Sequence, residues 1–266
     1  MKVAVVGPGR LGEALLSGML RAGTAPADVA VVVRRPERGA ELADAYGVRV
    51  MSVVEAAEFA DVLLITVKPQ DVETAVAELA PVTTLPLVVS AAAGVPTAFF
   101  EKRLAAGTAV VRVMTNTPVL VDEAMTVASP GAHASAEDIE RTRALFAAVG
   151  KFRVLPEYQQ DAVTALSGSG PAYFFYLVEA MTDAGILLGL PRAVAAELLV
   201  QTALGAAVML RDSGEHPVQL RESVTSPAGT TISAIRELEN HGVRAALLSA
   251  IEAARDRSRE LGDPLR

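Results

Sequence analysis

An apolar run, Lys2–Val6, ends in Gly7-Pro8-Gly9-Arg10-Leu11-Gly12, and an amphipathic stretch, Glu13–Arg21, follows at once. This succession constrains the fold more than any other feature of the 266-residue chain. A glycine triplet spaced GxGxxG is weak evidence alone. It gains meaning between a strand and a helix, where each glycine has a task. Gly7 permits the tight turn, Gly9 lets the backbone approach a pyrophosphate, and Gly12 allows close helix–sheet packing. The amides at the helix start then face the anion. The loop from Gly7 to Gly12 is therefore expected to bind a dinucleotide.

The same alternation continues through the first half. Further strand candidates are Val29–Val33, Val62–Val67, Leu87–Ser90, Ala109–Val113 and Lys151–Val154. Amphipathic segments such as Arg38–Ala45 and Val72–Leu79 lie between them. Near-continuous apolar strands alternating with helices imply a mostly parallel sheet covered on both faces. The expectation is an α/β, doubly wound (Rossmann-type) sheet over residues 1–155. An all-α domain is expected over residues 156–266, with the boundary near Leu155-Pro156. The second half breaks at Ser167-Gly168-Ser169-Gly170-Pro171, at Gly189-Leu190-Pro191 and at Ser226-Pro227-Ala228-Gly229. Pro171 and Pro191 suit the first turns of helices. The helices are rich in Ala and Gly, as in Leu204-Gly205-Ala206-Ala207. Such a domain can complete its core against a second copy or close as a bundle by itself.

The end of the second strand chooses among dinucleotides. An Asp or Glu about 20 residues past the glycines would bind a ribose 2′-hydroxyl. The chain has Val33-Arg34-Arg35 there instead, with no carboxylate at the strand end. A guanidinium can hold a 2′-phosphate through two hydrogen bonds. NADP(H) is the expected cofactor, with NAD(H) as a second one; the arginines also read as a solvated strand end. The loops Val67-Lys68-Pro69-Gln70 and Ala91-Ala92-Ala93 fall where a doubly wound sheet lines its cleft, although Lys68 reads equally as a surface lysine.

Several functions are disfavoured. There is no cysteine, so thiol chemistry is absent. His133, His216 and His241 lie far apart, and no metal is expected. A net charge of −7 without a Lys/Arg block argues against nucleic acid. The apolar stretch Ala184–Val200 is interrupted by glycines, a proline and charges, so a membrane span is not expected. Without a leader-like N-terminal segment, a cytoplasmic location is expected. No lysine follows Lys151, which leaves the helical half without the proton donor that β-hydroxyacid dehydrogenases take from theirs. Reduction of an imine asks less, chiefly orientation and one hydrogen-bond donor. Ser226-Pro227-Ala228-Gly229-Thr230-Thr231, opening a helix over Ile232–Leu238, is the candidate substrate loop. Its hydroxyls also suit simple helix capping.

Four segments together resemble the pyrroline-5-carboxylate reductase family. They are Asp161–Tyr173, Val224–Thr231, Arg112–Pro118 and the Val67–Gln70 loop, and the resemblance runs from Met1 to about Leu261. It implies reduction of 1-pyrroline-5-carboxylate to L-proline by NAD(P)H. It also implies a homodimer with interlocked C-terminal helices, assembled further into a decamer. By resemblance, Glu157, Gly229 and Thr230-Thr231 contact substrate, Ser226 sits by its carboxylate, and the Thr231 hydroxyl acts at its ring nitrogen as the catalytic group. Ser223 approaches the cofactor from the partner subunit. Thr115, Ala228, Val53 and Arg34 depart from the usual family pattern, and Ala228 matters if its backbone needs a positive φ. Two rivals remain at this point: another NADPH-dependent imine or hydroxyacid reductase, and an inactive NADP-binding regulatory protein.

Overall fold

A computed structural model describes residues 1–262. The first elements alternate as β1 (Val3–Val6), α1 (Arg10–Arg21), β2 (Val29–Val32), α2 (Pro36–Tyr46), β3 (Arg49–Val50), α3 (Val53–Phe59), β4 (Val62–Ile65), α4 (Val72–Leu79), β5 (Leu87–Ser90) and α5 (Thr97–Glu101). The strand β6 (Val110–Met114), β7 (Ala124–Pro130), α6 (Ala136–Ala147) and β8 (Gly150–Val154) complete the sheet. Its order is β3-β2-β1-β4-β5-β6-β7-β8. Every pairing is parallel except β6 with β7. The chain winds outward from β1 to β3, then returns to β4 on the other side of β1. The loops after β1 and β4 therefore diverge and leave a crevice at the carboxyl edge.

Alternation along β1 shows how the sheet is held. Val3 and Val5 pack with Leu15, Leu16, Phe146 and Val149 on one face. Ala4 and Val6 pack with Ala56, Leu63, Phe99 and Phe100 on the other. Both faces are covered, which is why the strands are continuous apolar runs rather than alternating ones.

Two strands escaped the sequence expectation. β3 is only two residues long, and β7, Ala-Met-Thr-Val-Ala-Ser-Pro, lacks the branched run that marked its neighbours. β7 is set by its partners, antiparallel to β6 and parallel to β8. α1 begins three residues earlier than its amphipathic pattern, because Arg10 to Gly12 already belong to its first turn.

The remaining helices are α7 (Gln160–Val163), α8 (Gly170–Leu187), α9 (Arg192–Asp212), α10 (Pro217–Ser223), α11 (Thr230–Asn240) and α12 (Val243–Gly262), with a single π turn over Thr164–Gly168. Pro171 lies in the first turn of α8, whereas Pro191 stands one step earlier than expected, as the N-cap of α9.

The chain forms two compact units, the first Met1–Gly170 with the chain from Ala253 onward, the second Pro171–Glu252. The boundary expected at Leu155-Pro156 falls inside the first unit, and the last four positions of the expected helical domain, 263–266, lie outside the described residues. Residues 156–168 are tied to the sheet by polar contacts. Gln160 Nε2 donates to Ser129 Oγ at 2.8 Å, and Asn116 Nδ2 to the Ser167 carbonyl at 3.1 Å. In the second unit, α9 buries little besides Ala195. By length and composition α9 is apolar enough to cross a membrane, although the interruptions between Ala184 and Val200 argued against such a span.

Candidate active site

A cleft of about 770 Å³ opens at the carboxyl edge of β1, β2 and β4. Gly7, Pro8 and Gly9 form its floor, and Arg34, Arg35, Lys68 and Gln70 stand on its walls. Gly7 has φ +73°, and a Cβ there would collide with Val67. A Cβ on Gly12 would collide with Thr66, so α1 can lie against the sheet only with glycine at that position. Thr66 fixes the turn further by donating its hydroxyl to the Gly7 carbonyl at 3.1 Å. A Cβ on Gly9 would meet nothing within 4 Å, so the space over the loop is open.

No side chain caps α1. The first-turn amides of a helix have no partner within the helix, so those of Arg10, Leu11 and Gly12 face outward as anion donors. Glu13 in the same turn would oppose an anion, but it is neutralised. Arg38 pairs with it, and the Tyr46 hydroxyl donates to its Oε1 at 3.1 Å. Arg38 also reaches Glu41 at 3.0 Å; these carboxylate bonds, Glu41 first, raise its pKa. Burial, then the bond to Glu13, pushes the Tyr46 hydroxyl above its ordinary range. The open glycine loop, the uncapped helix and the basic wall fit a dinucleotide pyrophosphate.

The two arginines after β2 differ. Arg34 pairs with Asp71 at 3.1 Å, whereas the Arg35 guanidinium makes no hydrogen bond or ion pair among the described residues. The expectation that no carboxylate stands near them is corrected here: Asp71 is 37 positions away in sequence, but β2 and β4 both flank β1. Sequence reasoning also passed over Arg38, Ser52, Thr66 and Asp71 on the cleft wall. Val53 does line the cleft, and the neighbouring Ser52 is engaged in a capping box with Glu55.

Pro69 begins a short 3-10 turn beside this cleft. Ala91, Ala92 and Ala93 follow β5, one strand further along the same edge. The Ala91 amide is bound to the Ile65 carbonyl at 2.9 Å and the Ala92 amide to Ser90 Oγ at 3.3 Å.

Glu157 lies in the first unit and holds local structure. Its Oε1 accepts from the Thr97 amide at 2.8 Å and its Oε2 from the Thr97 hydroxyl at 2.9 Å. The buried Arg112 guanidinium stands 3.4 Å from Oε1. The carboxylate thus anchors the loop after β5.

The other candidates lie in the second unit. Pro227 and Ala228 form a turn closed by the Gly229 amide donating to the Ser226 carbonyl at 3.1 Å. Ala228 occupies its third position with φ +58°, where glycine is ordinarily favoured. The expected cost of alanine at that position therefore applies. Gly229 is the N-cap of α11, and no side chain caps it. The hydroxyls of Ser226, Thr230 and Thr231 make no hydrogen bond among the described residues, so simple capping is not their role. Ser223 donates to the Leu220 carbonyl at 2.7 Å at the end of α10. Among the described residues no group of three or more His, Asp or Glu side chains is placed to hold a metal.

A family model described as "Pyrroline-5-carboxylate reductase dimerisation" matches residues 157–261. A second, "NADP oxidoreductase coenzyme F420-dependent", matches residues 2–94. A pyrroline-5-carboxylate reductase from Corynebacterium melassecola is 44% identical, covering 98% of both chains. Among solved structures, a pyrroline-5-carboxylate reductase from Coxiella burnetii shares 33% identity at a TM-score of 0.91, covering 98% of both chains. A Plasmodium falciparum pyrroline carboxylate reductase with NADP bound shares 26% at 0.89, with the same coverage. With near-complete coverage at 44% identity, and with both halves matched by family models, the chain belongs to the pyrroline-5-carboxylate reductase family.

Proposed function

We propose that the protein is an NADP(H)-dependent 1-pyrroline-5-carboxylate reductase, acting in the last step of proline biosynthesis. The observation that carries this reading is the start of α11. Three hydroxyls and the uncapped first-turn amides stand there without internal partners, in a chain of this family. Those amides suit a carboxylate, since a helix N-terminus favours an anion.

The nicotinamide, when bound, supplies the hydride taken up by C5 of the cyclic imine. The chain's own residues do the rest. Gly7 to Gly12 and the α1 amides hold the pyrophosphate. Arg35, Lys68 and Gln70 line the adenosine side, and Ala91–Ala93 the nicotinamide side. Ser226, Gly229 and Thr230 hold the substrate carboxylate. The Thr231 hydroxyl hydrogen-bonds the ring nitrogen and orients it. Glu157, doubly bonded to Thr97, positions the loop after β5, and a substrate contact at its remaining lone pairs is part of the proposal. NAD(H) serves as a second cofactor.

The exposed apolar helices support the remaining parts of the reading. These are a homodimer with interlocked C-terminal helices, assembled into a decamer, with Ser223 reaching the partner's cofactor and residues 156–266 acting as the dimerisation domain. A cytoplasmic location belongs to the same reading.

A steady-state assay with pyrroline-5-carboxylate and each cofactor in turn tests it. Turnover with NADPH is the expected result. Tight NADPH binding without turnover would favour a regulatory protein. Faster turnover of an open-chain hydroxyacid or a larger cyclic imine would move the assignment to another reductase.

A further inference from the structure

Asp71 ends the 3-10 turn Pro69–Asp71 and leads into α4 with a helical backbone, and its side chain caps no amide. Its Oδ1 lies instead 3.1 Å from the Arg34 guanidinium. The two residues follow β4 and β2, the strands on either side of β1, and both line the glycine-loop cleft. Asp71 Oδ2 has no hydrogen bond among the described residues. Of the three guanidiniums on this cleft, Arg38 is tied to Glu13 and Glu41, Arg34 to Asp71, and Arg35 to nothing among the described residues.

We propose that Asp71 sets the cofactor preference of this enzyme. It withholds Arg34 from the ribose 2′-phosphate of NADPH, and its free oxygen can accept a hydrogen bond from the 2′-hydroxyl of NADH. Arg35 then carries the recognition of the 2′-phosphate. Two physical effects act in the same direction. A carboxylate on the wall repels a phosphate dianion, and an ion-paired guanidinium attracts it less because its charge is partly offset. The pairing with Arg34 is what singles out Asp71, because it joins residues 37 positions apart on the wall of the glycine-loop cleft.

This inference rests on the NADP(H) reading, so its test separates the two. Calorimetric titration of the full chain with 2′,5′-ADP and with 5′-ADP reads the adenosine end without turnover. Asp71→Asn is expected to tighten 2′,5′-ADP roughly two- to fivefold, the size of a surface-exposed charge interaction, and not to tighten 5′-ADP. Arg34→Ala alone should change 2′,5′-ADP binding by less than about twofold, and in the Asp71→Asn background it should reduce the gain to the part that comes from relieved repulsion. Asp71→Ser provides the same readout should the Asn variant fold poorly. Unchanged or weaker 2′,5′-ADP binding in the Asp71 variants would overturn the proposal, as would an Arg34→Ala loss as large as that of Arg35→Ala. A wild-type protein that binds 5′-ADP but shows no preference for 2′,5′-ADP would overturn the NADP(H) reading itself.

Discussion

Leu15, Leu63, Phe99 and Phe146 of the sheet unit are each no more than 1% exposed, whereas Phe174, Phe175, Leu187 and Leu204 of the helical unit are 56–89% exposed. Both regions are rich in apolar residues, but only the first covers its own. The sheet has two faces, each covered by helices over its central strands, and each face closes a core. α8 and α9 present large side chains that nothing among the described residues covers. Contiguous exposed apolar surface of this kind marks an interaction site. In a family whose model for this region is described by dimerisation, the covering surface on our reading is a second copy.

The strongest ways to break this comparison act on its two apolar populations. Leu204→Asp should split the assembly, because each copy would bring an unpaired carboxylate into the interface, at a cost of about 2–5 kcal/mol. Sedimentation should then report monomers at concentrations where the parent is dimeric; an unchanged oligomer would remove Leu204 from the interface. Phe146→Ala should instead destabilise the sheet unit by about 3–5 kcal/mol and lower Tm, since it empties a buried ring's volume. A change in oligomer size with an unchanged Tm in that variant would contradict the division drawn here.

Thr231→Ala sharpens the helical side. Loss of one hydrogen bond to a charged group costs about 1.5–3 kcal/mol, so kcat/KM should fall roughly 10- to 150-fold. An unaltered kcat/KM would exclude Thr231 from the chemistry. On the sheet side, Arg35→Asp should weaken NADPH binding much more than NADH binding, and fluorescence titration giving equal losses would count against Arg35.

The smallest expected effect is at Ala228. Relief of its left-handed backbone by Ala228→Gly is offset by the extra freedom of glycine in the unfolded chain, leaving about 0.5 kcal/mol of added stability. A lower Tm for this variant would mean that the turn is unstrained.

Much of this molecule was legible along the chain. Apolar runs and turn glycines marked β1, β2, β4, β5 and β6, because a strand buried on both faces writes itself as an unbroken local pattern. β7 was not legible, since Ala124, Ser129 and Pro130 carry little strand preference and pair only through their neighbours. The glycine loop and the hydroxyl-rich start of α11 were likewise visible, as each depends on residues close in sequence.

The sequence by itself thus determined the sheet type and the dinucleotide loop through local spacing, and the family and the candidate substrate residues through resemblance of its motifs. The tertiary structure decided what those residues touch. It brought Asp71 to Arg34 and Thr97 to Glu157, 37 and 60 positions apart, and gave Ala228 its positive φ. Such contacts depend on strand order and loop geometry, which put distant charges side by side at one edge of the sheet. Spacing alone carries no trace of that arrangement.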